Sequence, residues 1–320
     1  MEKIPVVAVV GPTASGKTGL GIEIARRFDG EIVSADSMQI YKGMDIASAK
    51  PTEAERLAAV HHMIDFAERE NRFSVAEYVS LAREAICGIV SRGRLPVVVG
   101  GTGLYIDALL SGLRFAEEKS DPVLRRRLSE EYDHLGGEAM LARLREADPD
   151  GAARLHPNDR KRILRALEVH ITTGRRKSDL DKEAAEEESP YAAFYIGLRF
   201  CDRALLYDRI DRRVDAMMEA GLLAEAEREY NPALGTASQA IGHKELAPFL
   251  AGELSLDVAV ERLKRQTRRY AKRQMTWFSR NREIHWIDCD GRTAEEIAAV
   301  AAGWIQAWRH APCNSNKPTG

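Results

Sequence analysis

No stretch of this chain stays apolar long enough to cross a bilayer, and the first apolar run is too short for the core of a secretory leader. A soluble, cytoplasmic protein with no membrane partner is expected. Cysteine is scarce: Cys87, Cys201, Cys289 and Cys313 stand far apart and form no C-x-x-C pair. That spacing argues against a thiolate metal site and against a disulfide framework. Charge of one sign is also missing. The net value is −2, so there is no global excess to hold nucleic acid or an acidic surface. Hydrophobic residues at 44% and aromatics at 7% are ordinary globular usage, and 320 residues suffice for a full core in two lobes.

What is present is concentrated near the N-terminus. The β-branched run Val6–Val10 reads as a buried strand and leads straight into Gly11-Pro12-Thr13-Ala14-Ser15-Gly16-Lys17-Thr18. This matches G-x-x-x-x-G-K-S/T without a mismatch. The following segment, with Leu20, Ile22, Ile24, Ala25 and Phe28, reads as a helix whose positive N-terminus points at the same spot. Such an assembly binds a di- or triphosphate. Lys17 neutralises the terminal phosphates and the Thr18 hydroxyl ligates Mg²⁺.

A phosphate cradle leaves the reaction open. ATPases, kinases and transferases with a pyrophosphate leaving group all use one. A further absence bears on the choice. The apolar run Leu95–Val99 ends in Gly100-Gly101-Thr102, where a Walker-B strand would end in an acid. The run Glu31–Ala35 does end in a carboxylate, Asp36. Ligands of open parallel sheets sit beyond the carboxyl ends of the strands, so Asp36 and Thr102 should both face the phosphate crevice. A plainer reading also exists for each: Asp36 as a cap over Gln39, and Gly100-Gly101-Thr102 as a tight turn.

Strands are expected at Pro5–Val10, Glu31–Ser34, His62–Asp65, Pro96–Val99, Phe194–Leu198 and Glu283–Ile287. Helical patterns alternate with most of them, as at Val75–Val90 and Thr293–Trp308. The gap between Thr102 and Phe194 breaks this rhythm and holds only helical patterns, at Pro122–Leu135, Gly137–Ala147 and Asp159–Thr173. The expected fold is therefore α/β: a P-loop NTPase-like parallel sheet flanked by helices, with an inserted helical domain. Residues 1–115 and 190–310 form the core with additional C-terminal helices, among them Arg203–Tyr230 and Leu256–Asn281. Residues 116–189 form the insertion, ending in an acidic, mobile linker at Lys177–Ser189, and 311–320 is a disordered tail.

The neutral total hides sorted charge. Arg160–Lys177 carries seven Lys/Arg against one acid, and Arg262–Arg282 carries nine against none. Asp179–Glu188 carries six acids and one Lys. Blocks of this kind suggest one electropositive surface suited to phosphates, with compensating acid elsewhere. Within the second basic block, Leu263, Thr267, Tyr270, Gln274 and Trp277 recur at helical spacing and share a face, read as mostly core.

In these blocks the chain resembles the tRNA dimethylallyltransferases, also called tRNA isopentenyltransferases, over about residues 4–290. The resemblance rests on the P-loop and on Ser34-Ala35-Asp36-Ser37-Met38-Gln39-Ile40-Tyr41, His61-His62-Met63-Ile64-Asp65 and Gly100-Gly101-Thr102-Gly103-Leu104-Tyr105. It extends to Arg162–Val169, Arg213-Val214-Asp215-Ala216-Met217 and Thr267–Trp277, in the family's order. Two places depart from the pattern. Ile46-Ala47-Ser48-Ala49-Lys50 stands where the family has Ile-Gly-Thr-Ala-Lys, and His243 stands where Tyr is usual. The first exchanges small residues for small ones. The second replaces a phenol by an imidazole, which still stacks or donates.

The resemblance implies alkyl transfer from dimethylallyl diphosphate to the exocyclic N6 of the adenosine just 3′ of the anticodon in tRNA; a monomer is expected. The P-loop, Gly11 to Thr18, would then hold the diphosphate, with Arg213 reaching it and Mg²⁺ at Thr18. Asp36 would be the general base and Thr102 would hydrogen-bond the base or Asp36. With Lys17 these form the expected catalytic set. The RNA would be lined by Asp36, Ser37, Met38, Gln39 and Thr102, by Arg125, Lys161, Arg162, Ile163, Leu164 and Arg165, and by Gly242, His243 and Lys244. A P-loop small-molecule kinase, an isopentenyltransferase of free adenine nucleotides, and an ATP-gated RNA-binding switch are the alternatives.

Overall fold

The computed structural model describes residues 3–111, 121–186, 188–234 and 236–310. The expected tail at 311–320 and the first residues of the expected insertion, 116–120, lie outside them. In chain order the elements begin β1 (Ile4–Val10), α1 (Lys17–Arg27), β2 (Gly30–Ser34), α2 (Glu53–Ala58), β3 (His61–His62), α3 (Val75–Ser91), β4 (Leu95–Gly100) and α4 (Gly103–Leu110). Next come α5 (Pro122–Ala147), α6 (Pro149–Ala152), α7 (Arg160–Thr173) and α8 (Lys177–Glu186). The chain then continues through β5 (Tyr191–Arg199), α9 (Arg203–Glu219), α10 (Leu222–Glu229), α11 (His243–Leu250), α12 (Leu256–Phe278), β6 (His285–Asp288) and α13 (Ala294–His310).

The strands form one parallel sheet in the order β3-β2-β4-β1-β5-β6. β1 and β4 are apolar and buried from end to end or nearly so, as expected of strands covered on both faces. Alternate residues on one face, Val7, Val9, Val97, Val99 and Ile196, pack under α1 and α13 through Leu20, Ile24, Ala301 and Ile305. On the other face, Tyr78 of α3 stacks on Tyr105 of α4 at 4.1 Å, and its hydroxyl donates to Ser34 O at 3.1 Å. β1 lies between β4 and β5, so the order reverses beside it and a crevice opens beyond its carboxyl end.

Several expected boundaries move. β3 is only His61–His62, because Met63 and Asp65 adopt left-handed backbone (φ 64° and 58°) and turn the chain out of the sheet. β6 starts at His285, after a turn in which Asn281 Oδ1 accepts the Glu283 N–H. The helix expected over Arg203–Tyr230 is broken at Gly221 (φ 99°) into α9 and α10.

The chain divides into two compact units, 1–110 with 190–320, and 111–189. The second is all helical. Its core contains Leu124, Leu128, Met140, Leu144, Ile163 and Leu167, and α5 breaks at Gly136 (φ 82°). The acidic segment expected as a linker is a helix, α8. Its charges are locally compensated: Lys177 pairs with Asp181 at 2.6 Å, Lys182 with Asp150 at 2.7 Å, and Arg175 with Glu183. Its first turn is anchored where the Ser178 N–H and hydroxyl donate to the buried Asp148 carboxylate at 2.9 and 2.6 Å.

In the first unit Glu31 is a buried acid on β2. It accepts from Arg92 at 2.6 Å and Arg94 at 3.0 Å and lies 2.6 Å from His62 Nε2. Arg92, followed by His62 and Arg94, holds its carboxyl near 2 against an ordinary 4.5. A carboxyl depressed by folding stabilises above its unfolded value, and that contribution fades as pH falls toward the folded one. Wild type should therefore exceed Glu31→Gln in stability above pH 4.5, and the gap should close on acidification toward about 2. Chemical denaturation across that range checks it; a gap independent of pH would refute the ion-pair account.

Candidate active site

The backbone between β1 and α1 curls into a cup. Ala14 (φ 62°) and Gly16 (φ 94°) take left-handed conformations, and the N-terminus of α1 opens onto the cup. The Pro12 carbonyl accepts from Ser15 N–H at 3.3 Å and from Lys17 Nζ at 2.6 Å. The Thr13 N–H is engaged by Gln274 Oε1 at 2.8 Å and so does not point into the cradle. The Ala14 carbonyl is held by Arg209 Nε of α9 at 3.0 Å, which secures a residue in strained backbone.

Thr13, Ala14, Gly16, Lys17 and Thr18 line a cavity of about 360 Å³ with Asp36, Gln39, Arg213, Tyr270 and Gln274. Asp36 lies just beyond the carboxyl end of β2, and Gly100-Gly101 at the end of β4 form the neighbouring wall. The cavity thus brings Lys17 and Arg213 together with Asp36, and Lys50 and Glu55 also line it. Burial and the Arg213 charge bring Lys17 down from 10.5 to about 7, with Asp36 opposing. Burial raises the Asp36 carboxyl above its ordinary 3.8, opposed by the Met38 N–H, Lys17, the Gln39 N–H and Arg213. Burial lowers Arg213 as well.

The turn that carries Asp36 is tied down on every side. Asp36 Oδ1 accepts the Met38 N–H at 2.9 Å, a side-chain-to-backbone turn and not a helix cap. Thr102 Oγ1 accepts the Ser37 N–H at 3.1 Å, so this hydroxyl, expected on Asp36 or on a base, holds the neighbouring residue. Gln39 accepts from the Ser34 hydroxyl at 2.8 Å and donates to the Ala49 carbonyl at 3.2 Å. Close approach to backbone requires glycine at Gly100, the last residue of β4, whereas at Gly101 only the end of the Gln274 side chain would have to give. A Cβ on Gly100 would stand 2.2 Å from Ala35 O, and one on Gly101 would stand 2.1 Å from Gln274 Nε2.

α12 contributes more than a core stripe. Leu263 is buried as expected, but Tyr270 and Gln274 line the cavity, and Gln274 bridges the cup to the Gly101 carbonyl at 3.0 Å. Trp277 donates to Asp107 at 2.7 Å. The polar members at i, i+4 were visible as one face, but nothing in the sequence alone set that face against the P-loop. Of the basic residues on this helix, Arg268 pairs with Asp211 at 2.6 Å and Lys264 with Asp215 at 2.7 Å. Arg262, Arg265, Arg269 and Lys272 are exposed along one stripe.

Other expected RNA-lining residues divide. Lys161 and Arg162 are exposed on the helical unit. Ile163 is fully buried in that unit's core, a correction to its expected contact. Arg125 and Arg165 both engage the buried Glu168, at 2.8 and 3.1 Å, so their charge is already partnered; Leu164 packs beside the same core. In the first unit Gly242 caps α11, its N–H donating to Glu245 at 2.9 Å, and Lys244 reaches Gln239 at 3.1 Å. The His243 ring is 2% exposed and packs against Glu225 at 2.8 Å, so it is turned into the interior of that unit.

Among the described residues no cluster of three or more His, Cys, Asp or Glu could cage a metal, and no helix is long and apolar enough to cross a membrane. A family model described as IPP transferase matches residues 39–282, and one described as isopentenyl transferase matches 4–67. The chain is 48% identical over 288 residues to a tRNA dimethylallyltransferase of Bacillus subtilis, covering 89% of this chain and 91% of that one. It is similar to the full-length tRNA isopentenylpyrophosphate transferase of Bacillus halodurans, with TM-score 0.71, 40% identity and 96% of each chain covered. A eukaryotic dimethylallyltransferase acting on tRNA superposes with TM-score 0.79 at 29% identity, covering 95% of this chain and 80% of that one.

Proposed function

This chain belongs to the IPP transferase family, the tRNA dimethylallyltransferases, and we infer from that membership how its cavity works. It is a prenyltransferase that modifies tRNA. The donor we propose is dimethylallyl diphosphate, and the acceptor the exocyclic N6 of the adenosine 3′ of the anticodon. The observation that carries the reading is one cavity with Lys17 and Arg213 facing Asp36, and glycine where β4 would carry a Walker-B acid. Alkyl transfer needs a held leaving group, an aimed amine and a base, and the cavity offers a phosphate cradle for the first and a carboxylate for the last.

In the proposed step the allylic C–O bond breaks and its electron pair leaves with the diphosphate. The N–H groups of Ala14, Gly16, Lys17 and Thr18 in the cup, with the Lys17 and Arg213 side chains, stabilise the growing negative charge, which is preorganised electrostatic catalysis. The adenine amine forms the new C–N bond, and its proton passes to Asp36. A carboxyl raised by its surroundings is a better proton acceptor than an ordinary one, since its basicity lies nearer the working pH. The acceptor must leave its stack, at a cost of a few kcal/mol offset by contacts to the splayed loop.

The oxygen donor of Thr18, beside the phosphate cradle, suits Mg²⁺, which binds by a few protein oxygens together with substrate phosphates. When bound there it would add positive charge against the leaving group.

Incubation with labelled dimethylallyl diphosphate, Mg²⁺ and an anticodon stem-loop should label the RNA. Phosphoryl transfer from ATP without RNA, or labelling of free AMP alone, would refute the reading. Arg162→Ala should raise KM for RNA, leave KM for the diphosphate unchanged, and flatten the salt dependence of RNA binding by about one unit of slope. Arg165→Ala, whose guanidinium already serves Glu168, should do less. Equal effects on both substrates would make the helical unit a diphosphate lid.

A further inference from the structure

Part of the cavity wall is a loop, residues 45–51, of which Ser48, Ala49, Lys50 and Pro51 line the site. It has no regular structure, and Ala49 holds a left-handed backbone (φ 47°) that a side chain disfavours. Such a conformation persists only when its surroundings over-determine it. Two buried charges do so. Lys50 donates to Asp45 at 2.7 Å and to the Tyr41 carbonyl at 2.7 Å, and pairs with Asp65. Glu225 of α10, 3% exposed, accepts the backbone N–H groups of Asp45, Ile46 and Ala47 at 2.9, 2.7 and 2.9 Å. The remaining partner of that carboxylate is His243 Nε2 at 2.8 Å.

The same loop presents its Ser48 and Ala49 carbonyls to the Gln39 side chain, at 3.4 and 3.2 Å. Gln39 ends the short turn that starts at Asp36. We propose that Glu225, itself held by His243, is a positioning residue for the transfer: by clamping the 45–47 backbone it fixes Gln39, and through Gln39 the turn carrying Asp36. Glu225 touches neither the cup nor Asp36. Its effect reaches Asp36 through successive hydrogen bonds among residues that, apart from the exposed Asp45, are buried or half-buried. The Gln39 N–H is one of the groups that hold the Asp36 carboxyl down, so a relaxed turn raises that carboxyl further.

The inference rests on the alkyl-transfer reading, which wild type tests first: absence of transfer by wild type defeats that reading, whereas the variants test only the clamp. Glu225→Gln keeps the volume but replaces one acceptor oxygen by a donor. The expected result is kcat lower by about 10- to 100-fold, the scale of a small misplacement of a reacting group. KM for the diphosphate should stay within about twofold, since the cup is untouched. The acid limb of the kcat/KM profile should move to higher pH. His243→Phe, which removes the donor and keeps a ring, should move kcat and the limb the same way. His243→Tyr, whose hydroxyl can donate to Glu225, should restore both, and it keeps the test decisive where Glu225→Gln fails to fold. A lower melting temperature with kcat and the acid limb unchanged would overturn the proposal. So would indistinguishable kinetics for the Phe and Tyr variants.

Discussion

Asp36→Ala lowers kcat by about 100- to 10,000-fold, the usual contribution of a general base, while affinity for the anticodon stem-loop stays within a few fold. The adenine amine is a poor nucleophile because its lone pair is delocalised into the ring, so a proton acceptor matters most as the C–N bond forms. Asp36→Asn should be nearly as slow, although it keeps the side-chain oxygen that accepts the Met38 N–H. That pairing separates loss of the base from collapse of the turn. The wild-type kcat/KM profile should rise on the acid side through a carboxyl displaced above the ordinary 3.8. The limb should vanish in Asp36→Asn. Turnover of Asp36→Ala within a few fold of wild type would remove the base assignment.

Lys17→Ala reduces kcat/KM for the diphosphate by about 100- to 1000-fold, the typical cost of one preorganised donor to a developing anion. The ammonium acts only while protonated, and in the free enzyme Lys17 titrates near 7. The kcat/KM profile should therefore fall as pH rises through about 7. A bound diphosphate favours the cation and lifts the lysine, so the fall in kcat should lie at higher pH. Lys17→Arg, always charged, should lose the alkaline limb. A profile flat from pH 6 to 9 in wild type would contradict the neutral-lysine account.

Both predictions concern residues legible in the sequence, for the same reason. The cup is a contiguous motif whose Gly16, Lys17 and Thr18 line one cavity, with its strand and helix adjacent in the chain. Asp36 could be placed because an apolar strand ending in a carboxylate delivers it to the crevice of a parallel sheet. The errors share a cause as well. The acidic stretch at 177–186 read as a linker because the residues that tie it down belong to other elements or to the preceding turn: Asp148 accepts from Ser178, Asp150 pairs with Lys182, and Arg175 pairs with Glu183. His243 read as an RNA contact by alignment to a pattern, and its ring is buried against Glu225.

Local pattern by itself determined the strands, the phosphate cradle, a carboxylate at the crevice and the family, since each is written in neighbouring residues or in their order. Tertiary structure alone decided which N–H groups of the cup are free, that Gln274 and Tyr270 complete the cavity, and that Arg209 and Glu225 brace its strained turns. Those contacts join residues up to 261 positions apart, as between Thr13 and Gln274. No local propensity encodes such pairings, because they exist only once the helices have packed on the sheet and burial has made every unpaired polar group costly.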